Sequence, residues 1–452
     1  MKDRVLSIIG ALLLFVCFCD HTFSFSIAGV NVRWSQLAAC AAAATAFVTM
    51  LTGRKVAIGR LHLLGLIFAW GPFSLLYLVS ALAGGNAFST VIKLGWALSS
   101  IVGAFAIVAG GLRVRQVFLN ALLGAVLLQS CVLVIDSLAI CSLEPSRTLI
   151  GSAQLSYYEN NGVRLLRPAA FYLEPSYFAS MMALALIFVL AVHRRTRSPL
   201  SLVTFVVGMT SLVLSTSRLG IVSFALLLLA SWAPLDWRRW SEGLNGRLIP
   251  GLTSTALLVL ILASPFGKPL RFFIVETNGF KKIASVAENI GPDGTFTQEH
   301  KDRYMTESEV SRYHAIEESF ASWKTSMWIG HGVLKDVSNR YQAPPNPNTF
   351  DAPTRAQKVS RFPSPSMTTW FELLEESGIL GIAAYVLGLI LTFQVFWRHP
   401  LQIESLLWGA TLLGLNYLLT PVFPRFDYWF LSYALMAALS LLPFETKSRG
   451  SV

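Results

Sequence analysis

The sequence predicts an all-α fold, a polytopic membrane bundle of about twelve transmembrane helices with one large extracytoplasmic loop. Hydrophobic residues make up 54% of the 452 residues and charged residues only 13%, with a mean hydropathy of +0.56. Ordinary soluble domains have roughly a quarter of their residues charged. Apolar runs of about 18 residues or more recur along the chain, and each can cross a hydrocarbon core of about 30 Å as a helix.

The predicted spans divide the chain into three parts. Residues 1–265 hold spans one to nine and a first outer segment at 141–172; residues 266–377 form the large outer loop; residues 378–452 hold spans ten to twelve and a tail. No small-residue cleavage site follows residues 1–20, which favours an uncleaved first span. The spans are roughly 5–23, 27–51, 62–83, 89–111, 116–140, 173–192, 199–216, 219–235, 248–265, 378–397, 402–420 and 428–443.

Basic residues predict the orientation of these spans. Every second loop is short and basic, as the positive-inside rule expects of cytoplasmic loops. Both termini are then cytoplasmic, and segments 141–172 and 266–377 are extracytoplasmic. Because most basic residues set orientation, the net charge of +11 does not indicate a nucleic-acid partner. The cytoplasmic loops include Arg54, Lys55 and Arg60, Arg113 and Arg115, Arg194, Arg195 and Arg197, Arg238, Arg239 and Arg247, and Arg398.

No pattern in the sequence predicts a metal or a cofactor. The five cysteines lie within or at the ends of apolar segments without CxxC spacing, so we interpret them as small core residues. The phosphate-binding loop GxxxxGK[ST], the dinucleotide fingerprint, HExxH and GxSxG are missing from the sequence. The chain therefore does not look built to use ATP or a nucleotide-activated donor.

The large outer loop contains one amphipathic pattern. Apolar side chains recur at three- and four-residue steps near 308–328, which predicts a helix that lies on the membrane surface or caps the bundle. The Pro-rich stretch YQAPPNPNTFDAPT that follows cannot form a continuous helix. The residues of the apolar stripe are Tyr313, Ile316, Phe320, Trp323 and Met327.

Charged residues also gather where segment 141–172 returns to the membrane, in RPAAFYLEPSYFAS. Arg164 and Arg167 precede the span, and Glu174 with Pro175 opens it. One interpretation is a helix start with an interfacial ion pair, since Pro and an acidic residue both suit a first turn. The other is a carboxylate held beside arginines at the edge of a water-filled cavity, because ionisable groups at membrane depth often mark a functional path.

Further cations are predicted on the same outer side. Arg218 lies in the short loop TSRLG, Arg425 in FPRFDYWF, and Lys93 and Arg33 near the outer ends of their spans. Singly, each is typical of a snorkelling anchor. Together they form a ring of cations that suits a diphosphate, because the guanidinium group bonds phosphate oxygens in pairs.

Two histidines, His314 and His331, lie in the large outer loop. His331 stands between glycines in WIGHGV, which predicts a tight turn with close backbone approach. A histidine in that setting is more often a turn residue than a base. Glu372 lies further on, in ELLEESGILG.

The order of four motifs resembles the O-antigen polymerase and O-antigen ligase superfamily over roughly residues 160–385. These motifs are RxxxFxxEP before a span, SRLG between two spans, an arginine followed by a phenylalanine eight residues later in the loop that reaches GHG, and ELLEESGILG. The resemblance implies a GT-C-like membrane glycosyltransferase that takes a glycan from undecaprenyl pyrophosphate on the periplasmic face of the bacterial inner membrane. A polysaccharide chain-length regulator is an implied partner.

The resemblance implies roles for particular residues. Arg167, Arg218 and Arg312 are expected to bind the pyrophosphate, with Arg164, Arg425 and Lys93 as weaker candidates. Each of the first three is expected to contribute about 100- to 1000-fold in rate. Glu174 is the expected base, although its affinity for protons depends on opposing effects of burial and nearby arginines. The other candidates for the base are His314, His331 and Glu372.

One departure from the pattern bears on the type of reaction. Ligases of this superfamily carry a histidine, then Asn, Ser or Gln, and nine further residues before GxxG; here those positions before Gly378 hold Met367 and Thr368. This favours a polymerase over a ligase that transfers glycan to lipid A or another acceptor. A flippase for the same lipid-linked glycan is the non-enzymatic alternative, but such transporters are typically built from repeats, and the sequence has no detectable repeat.

Overall fold

The structure is a computed structural model of the chain. It describes residues 2–18, 25–27, 30–32, 34–51, 60–84, 87–111, 115–141, 156–160, 163–168, 170, 175–215, 217–232, 244–263, 319–332 and 369–394. Predicted spans 402–420 and 428–443 lie outside these residues, as does most of the large outer loop.

Long helices and two short hairpins make up the described residues. The helices are α1 (Lys2–Phe18), α2 (Trp34–Leu51), α3 (Arg60–Gly84), α4 (Ala87–Gly111), α5 (Arg115–Cys141), α6 (Pro175–Thr196), α7 (Pro199–Leu214), α8 (Arg218–Trp232), α9 (Leu244–Ala263) and α10 (Thr369–Gln394). The antiparallel hairpins are β1 (Phe25–Ile27) with β2 (Val30–Val32), and β3 (Ser156–Asn160) with β4 (Val163–Arg167). A short helix at 319–325 stands before α10 in the chain.

The helices confirm a multi-pass membrane protein. Four apolar segments are long enough to cross a bilayer, namely Thr90–Val108, Gln116–Ser137, Tyr177–Arg194 and Trp370–Leu391, and shorter apolar helices accompany them. Large apolar side chains such as Phe68, Leu75 and Leu82 are more than 60% exposed. An outward apolar face of this kind is expected where lipid takes the place of water. The full count of about twelve spans stays a prediction.

Helix α6 forms the centre of the core. Almost every side chain from Phe178 to Val192 is buried, and the helix packs against α7 and α8. Gly208 of α7 leaves no room for a Cβ beside Leu186 of α6, so these two helices approach closely. Around this centre, α5 packs against α1 and α7, α9 against α7 and α8, and α3 against α4 and α10.

Two predicted element boundaries differ from the helices in the structure. The tenth predicted span was expected to begin at Gly378, but α10 begins at Thr369, so Glu372 and Glu376 lie on a helix and not in the outer loop. Gly378 instead breaks that helix with φ 65° and ψ −169°. The predicted amphipathic helix ends at 325, and Met327 lies in the turn that follows. Its earlier part lies outside the described residues.

Candidate functional site

Charged and hydroxyl side chains meet where α3, α4 and α10 come together. Tyr77 lies in the last third of α3, Lys93 in the second turn of α4, and Glu372 and Glu376 in the first half of α10. We call these four residues the junction cluster. Tyr77 and Glu376 are 299 positions apart in sequence, and Lys93 and Glu372 are 279 positions apart. The packing of α3, α4 and α10 brings the four side chains together.

Lys93 is the only cation among the four residues of the junction cluster. Its Nζ lies 2.6 Å from Glu372 Oε1, 2.6 Å from Glu376 Oε1 and 2.7 Å from Glu376 Oε2. An ammonium group has three N–H donors, and these three contacts use all of them. Charge-assisted bonds of this length are the strong ones, so the geometry leaves Lys93 no donor for another ligand.

The two carboxylates are satisfied to different extents. Both oxygens of Glu376 accept hydrogen bonds from Lys93, and Oε2 also accepts one from the Tyr77 hydroxyl. Glu372 accepts from Lys93 at Oε1, but its Oε2 is buried and has no hydrogen-bond partner among the described residues. Glu372 and Glu376 are each 7% exposed and Tyr77 is fully buried. A buried polar atom without a partner is rare in folded proteins and calls for an explanation.

A backbone clamp holds the outer loop against α10. We call residues 326–332 the hook. His331 N donates to Glu375 O (2.9 Å) and Gly332 N to Glu376 O (2.8 Å), while Ile379 N donates to Met327 O (3.0 Å) and Leu380 N to Trp328 O (3.1 Å).

These four bonds replace two that the kink at Gly378 removes. In a continuous helix Ile379 N would bond Glu375 O, and Leu380 N would bond Glu376 O. The hook supplies a new partner to each of the four freed groups, which satisfies backbone that would otherwise be unpaired in an apolar setting. The kink and the hook therefore depend on one another.

Glycines make this approach possible, as WIGHGV predicted. Gly330, Gly332 and Gly378 have φ of 69°, 70° and 65°. A Cβ on Gly330 would lie 2.5 Å from the Glu376 backbone carbon, and one on Gly378 would lie 2.5 Å from that of Trp328. The predicted tight turn with close backbone approach is therefore confirmed.

His331 serves that turn with its side chain as well. Its Nε2 lies 2.7 Å from Thr325 Oγ1 and 3.0 Å from Ser322 O, both on the short helix 319–325. Ser80 of α3 donates to Ile329 O, which joins the hook to α3. These contacts agree with a turn residue, and they bring the hook and three helices to one place.

Comparison with known families identifies part of the chain. Residues 203–386 match the model of a family, Wzy_C, described as O-antigen ligase. Residues 203–386 form an O-antigen ligase family domain. For residues 203–386, this match confirms the resemblance seen in the motifs. Comparison with curated proteins gives no match.

The family domain contains some members of the junction cluster and not others. It runs from α7 into α10, so it includes the hook, Glu372 and Glu376. Lys93 and Tyr77 come from α4 and α3, which precede it in sequence. The cluster is therefore assembled between the O-antigen ligase family domain and the helices before it.

Some of the predicted site residues lie within the described residues and others do not. Lys93, Glu372 and His331 are brought together by the junction and the hook. In the β3–β4 register, Arg164 is opposite Glu159 and Arg167 is opposite Ser156. Arg218 is the first residue of α8. The ring of cations stays a prediction, because Glu174, Arg312, His314 and Arg425 lie outside the described residues.

Sequence reasoning missed Tyr77, Ser80 and Glu376. A helix that begins at 369 would place Glu372 and Glu376 one turn apart on one face, so a correct boundary would have found the second carboxylate. Tyr77 and Ser80 are polar groups three residues apart in an apolar run. That spacing puts them on one helix face and is the only signal they carry.

Proposed function

We propose that this protein polymerises oligosaccharide repeat units carried on undecaprenyl pyrophosphate into O-antigen or exopolysaccharide. The reaction is a glycosyl transfer without metal, and arginines stabilise the pyrophosphate that leaves. The protein would lie in the bacterial inner membrane with both termini in the cytoplasm and its active face in the periplasm.

One observation carries the choice of a polymerase. Within a domain of the O-antigen ligase family, the position where the ligases of this superfamily carry a histidine holds Met367, and the next position holds Thr368. Methionine and threonine cannot accept a proton from an acceptor hydroxyl. This chain has the family domain but lacks the histidine that the ligases use as a base. It therefore fits the polymerases of the superfamily better, because their motifs vary more.

The contacts of Lys93 refine the proposed binding of pyrophosphate. A diphosphate needs donors that stay charged and are free to bond its oxygens. All three donors of Lys93 are used by Glu372 and Glu376, so we propose that Lys93 holds these carboxylates. The residues proposed to bind the pyrophosphate are then Arg167, Arg218 and Arg312, with support from Arg164 and Arg425.

The position of the junction supports an active outer face. The cluster lies towards the end of α3, the start of α4 and the start of α10. In the orientation that the positive-inside rule predicts, these ends face the periplasm. The hook fixes the described loop segment 326–332 beside them.

A ligase is the second candidate, because the matching family model is described as O-antigen ligase. A ligase would join the glycan once to lipid A core or another acceptor, whereas a polymerase would add repeat after repeat to a lipid-linked chain. The two reactions share the donor and the leaving group, and they differ in the product.

The deciding experiment uses purified protein in liposomes with synthetic undecaprenyl-diphospho-oligosaccharide, a chelator and no nucleotide. We expect a ladder of lengthening lipid-linked products on gels. A single transfer to added lipid A core, without a ladder, would show a ligase instead. Unmodified donor that changes leaflet would show a flippase, and either result would overturn the proposal.

A further inference from the structure

We propose that Glu372 is the catalytic base, which accepts the proton of the acceptor sugar hydroxyl at its Oε2, and that Lys93, Glu376 and Tyr77 are positioning residues. This inference rests on the proposed glycosyl transfer and adds to it the group that activates the acceptor. Glu372 is one of the bases considered from the sequence, and it is chosen here over Glu174, which lies outside the described residues.

The two carboxylates of the junction cluster are paired unequally. Tyr77 and Lys93 occupy both oxygens of Glu376, while Lys93 reaches only Oε1 of Glu372. Within the part of the chain that the structure describes, Glu372 Oε2 is left buried without a hydrogen-bond partner. A cluster built only to join helices would be expected to satisfy every oxygen, since an unpaired buried acceptor is costly. A substrate O–H is the partner that this oxygen lacks.

Neighbouring side chains hold Glu372 in one position. Its Oε1 is fixed by the ammonium of Lys93, which is itself held by two further bonds to Glu376. Glu376 is in turn held by Tyr77, which is fully buried. A base must lie within hydrogen-bond reach of the proton that it removes. The chain from Tyr77 to Lys93 fixes the direction in which Oε2 faces.

Two side chains of the junction cluster are not completely buried. The side chain of Lys93 is 18% exposed and that of Glu372 is 9% exposed, so the cluster reaches the edge of the described helices, although Glu372 Oε2 itself is buried. Glu372 lies in the first turn of α10, immediately after the outer loop. An acceptor glycan that approaches from the outer face would meet this end of the helix first.

The charge of the cluster selects the kind of group that can bind. One ammonium faces two carboxylates, and Lys93 has no donor to spare. A diphosphate would be repelled here, whereas a neutral sugar hydroxyl can donate to Oε2. The arrangement separates the acceptor hydroxyl at Glu372 from the donor diphosphate at the arginines.

The proposed step is a substitution at the anomeric carbon of the donor. The acceptor oxygen forms a bond to that carbon, and the bond between the carbon and the diphosphate oxygen breaks with its electron pair on undecaprenyl pyrophosphate. The hydroxyl proton passes to Glu372 Oε2 and is later released to water. No oxidant, reductant or metal is needed.

The test compares Glu372→Gln with Glu375→Gln in the purified full-length protein. Glu372→Gln keeps an oxygen for Lys93 and leaves a neutral Lys93–Glu376 pair, so we expect folding to survive. Glu375 lies on the same turn, and among the described residues its carboxylate makes no hydrogen bond or ion pair. Folding is checked by thermal unfolding in detergent, and donor binding is measured with synthetic undecaprenyl-diphospho-oligosaccharide.

We expect Glu372→Gln to bind donor as the wild type does but to lengthen it at least about 100-fold more slowly, which is within the range for loss of a general base. Glu375→Gln should lengthen at the wild-type rate. Tyr77→Phe tests positioning: kcat per folded molecule should fall while KM for the donor stays unchanged. A purely structural role would lower only the folded fraction.

The outcomes separate this inference from the proposed function. Wild-type lengthening with equal lengthening by Glu372→Gln would overturn the role of Glu372 and leave the polymerase intact. If the wild type made only a single transfer, the polymerase would be overturned, and loss of that transfer in Glu372→Gln would still support the base. A wild type that does neither would overturn both.

Discussion

The core around α6, α7 and α8 and the junction of α3, α4 and α10 are both buried, yet they satisfy their polar groups in opposite ways. Hydroxyls in the first region bond to carbonyls of their own helix, as Ser211 does with Gly208 and Ser215 with Leu212. In the junction, Lys93 and Tyr77 bond to carboxylates on another helix. These back-bonds need only their own helix, and His193 of α6 adds one contact to Ser201 of α7 at 3.0 Å. The junction cluster, by contrast, exists only when three helices are assembled.

This difference indicates where chemistry is expected. Local back-bonds leave a helix free to be packed by apolar side chains, and α7, which packs on α6, uses them. Buried ion pairs add little net stability, because the cost of removing charges from water offsets their attraction. Ionisable groups kept inside a membrane bundle are therefore better explained by function than by stability.

Removing the cation of the junction should have the largest effect. Lys93→Met would leave Glu372 and Glu376 buried without a partner, which typically costs about 3–5 kcal/mol of the free energy of unfolding. The measurement is denaturant unfolding in micelles, followed by tryptophan fluorescence. Lys324→Met, at the exposed Lys324 that lies over Phe320, is the matched control and should change little. A Lys93→Met protein as stable as wild type would show that the cluster is not charged as described.

A cavity in the scaffold should cost slightly less. Leu186 is fully buried in α6, and Leu186→Ala should lower the free energy of unfolding by about 2–5 kcal/mol through lost packing and the cavity left behind. The same unfolding assay measures it. Activity per folded molecule should remain, since no polar group of the junction is touched. Loss of activity in fully folded Leu186→Ala protein would remove the distinction between scaffold and site.

Disturbing the kink should have an intermediate effect. Gly378→Ala forces a side chain into a backbone conformation that only glycine adopts readily, at about 1–3 kcal/mol, and its Cβ would meet the Trp328 backbone at 2.5 Å. We expect weaker docking of the hook, measured as faster amide hydrogen exchange at Ile379 and Leu380. Gly71→Ala is the control, because a Cβ there meets nothing within 4 Å. Unchanged exchange in Gly378→Ala would contradict the clamp.

The smallest effect is predicted for a back-bonding serine. Ser211→Ala removes a hydroxyl and the carbonyl bond that it makes within its own helix, so the free energy of unfolding should change by no more than about 0.5 kcal/mol. Unfolding in micelles checks this. A loss of several times that size would mean that Ser211 serves a contact between helices.

The sequence predicted the helices of the core around α6, α7 and α8 more completely than it predicted the junction cluster. Apolar length and basic loops predicted the helices because each signal is local, and GHG predicted a turn because glycine reports backbone conformation. The link between Lys93 and Glu372 joins residues 279 positions apart, and no local pattern encodes such a contact. The late predicted start of α10 also hid the pairing of Glu372 with Glu376, since helix propensity at charged termini is weak compared with tertiary packing.

The most direct test of the distinction between the α6–α8 core and the junction cluster is the rate of chain lengthening per folded molecule. It is measured for Glu372→Gln and for Leu186→Ala. We predict that Glu372→Gln keeps its fold and donor affinity but loses lengthening by at least about 100-fold, while Leu186→Ala loses stability and keeps its rate. Retained lengthening in Glu372→Gln together with a lost rate in folded Leu186→Ala would contradict the account.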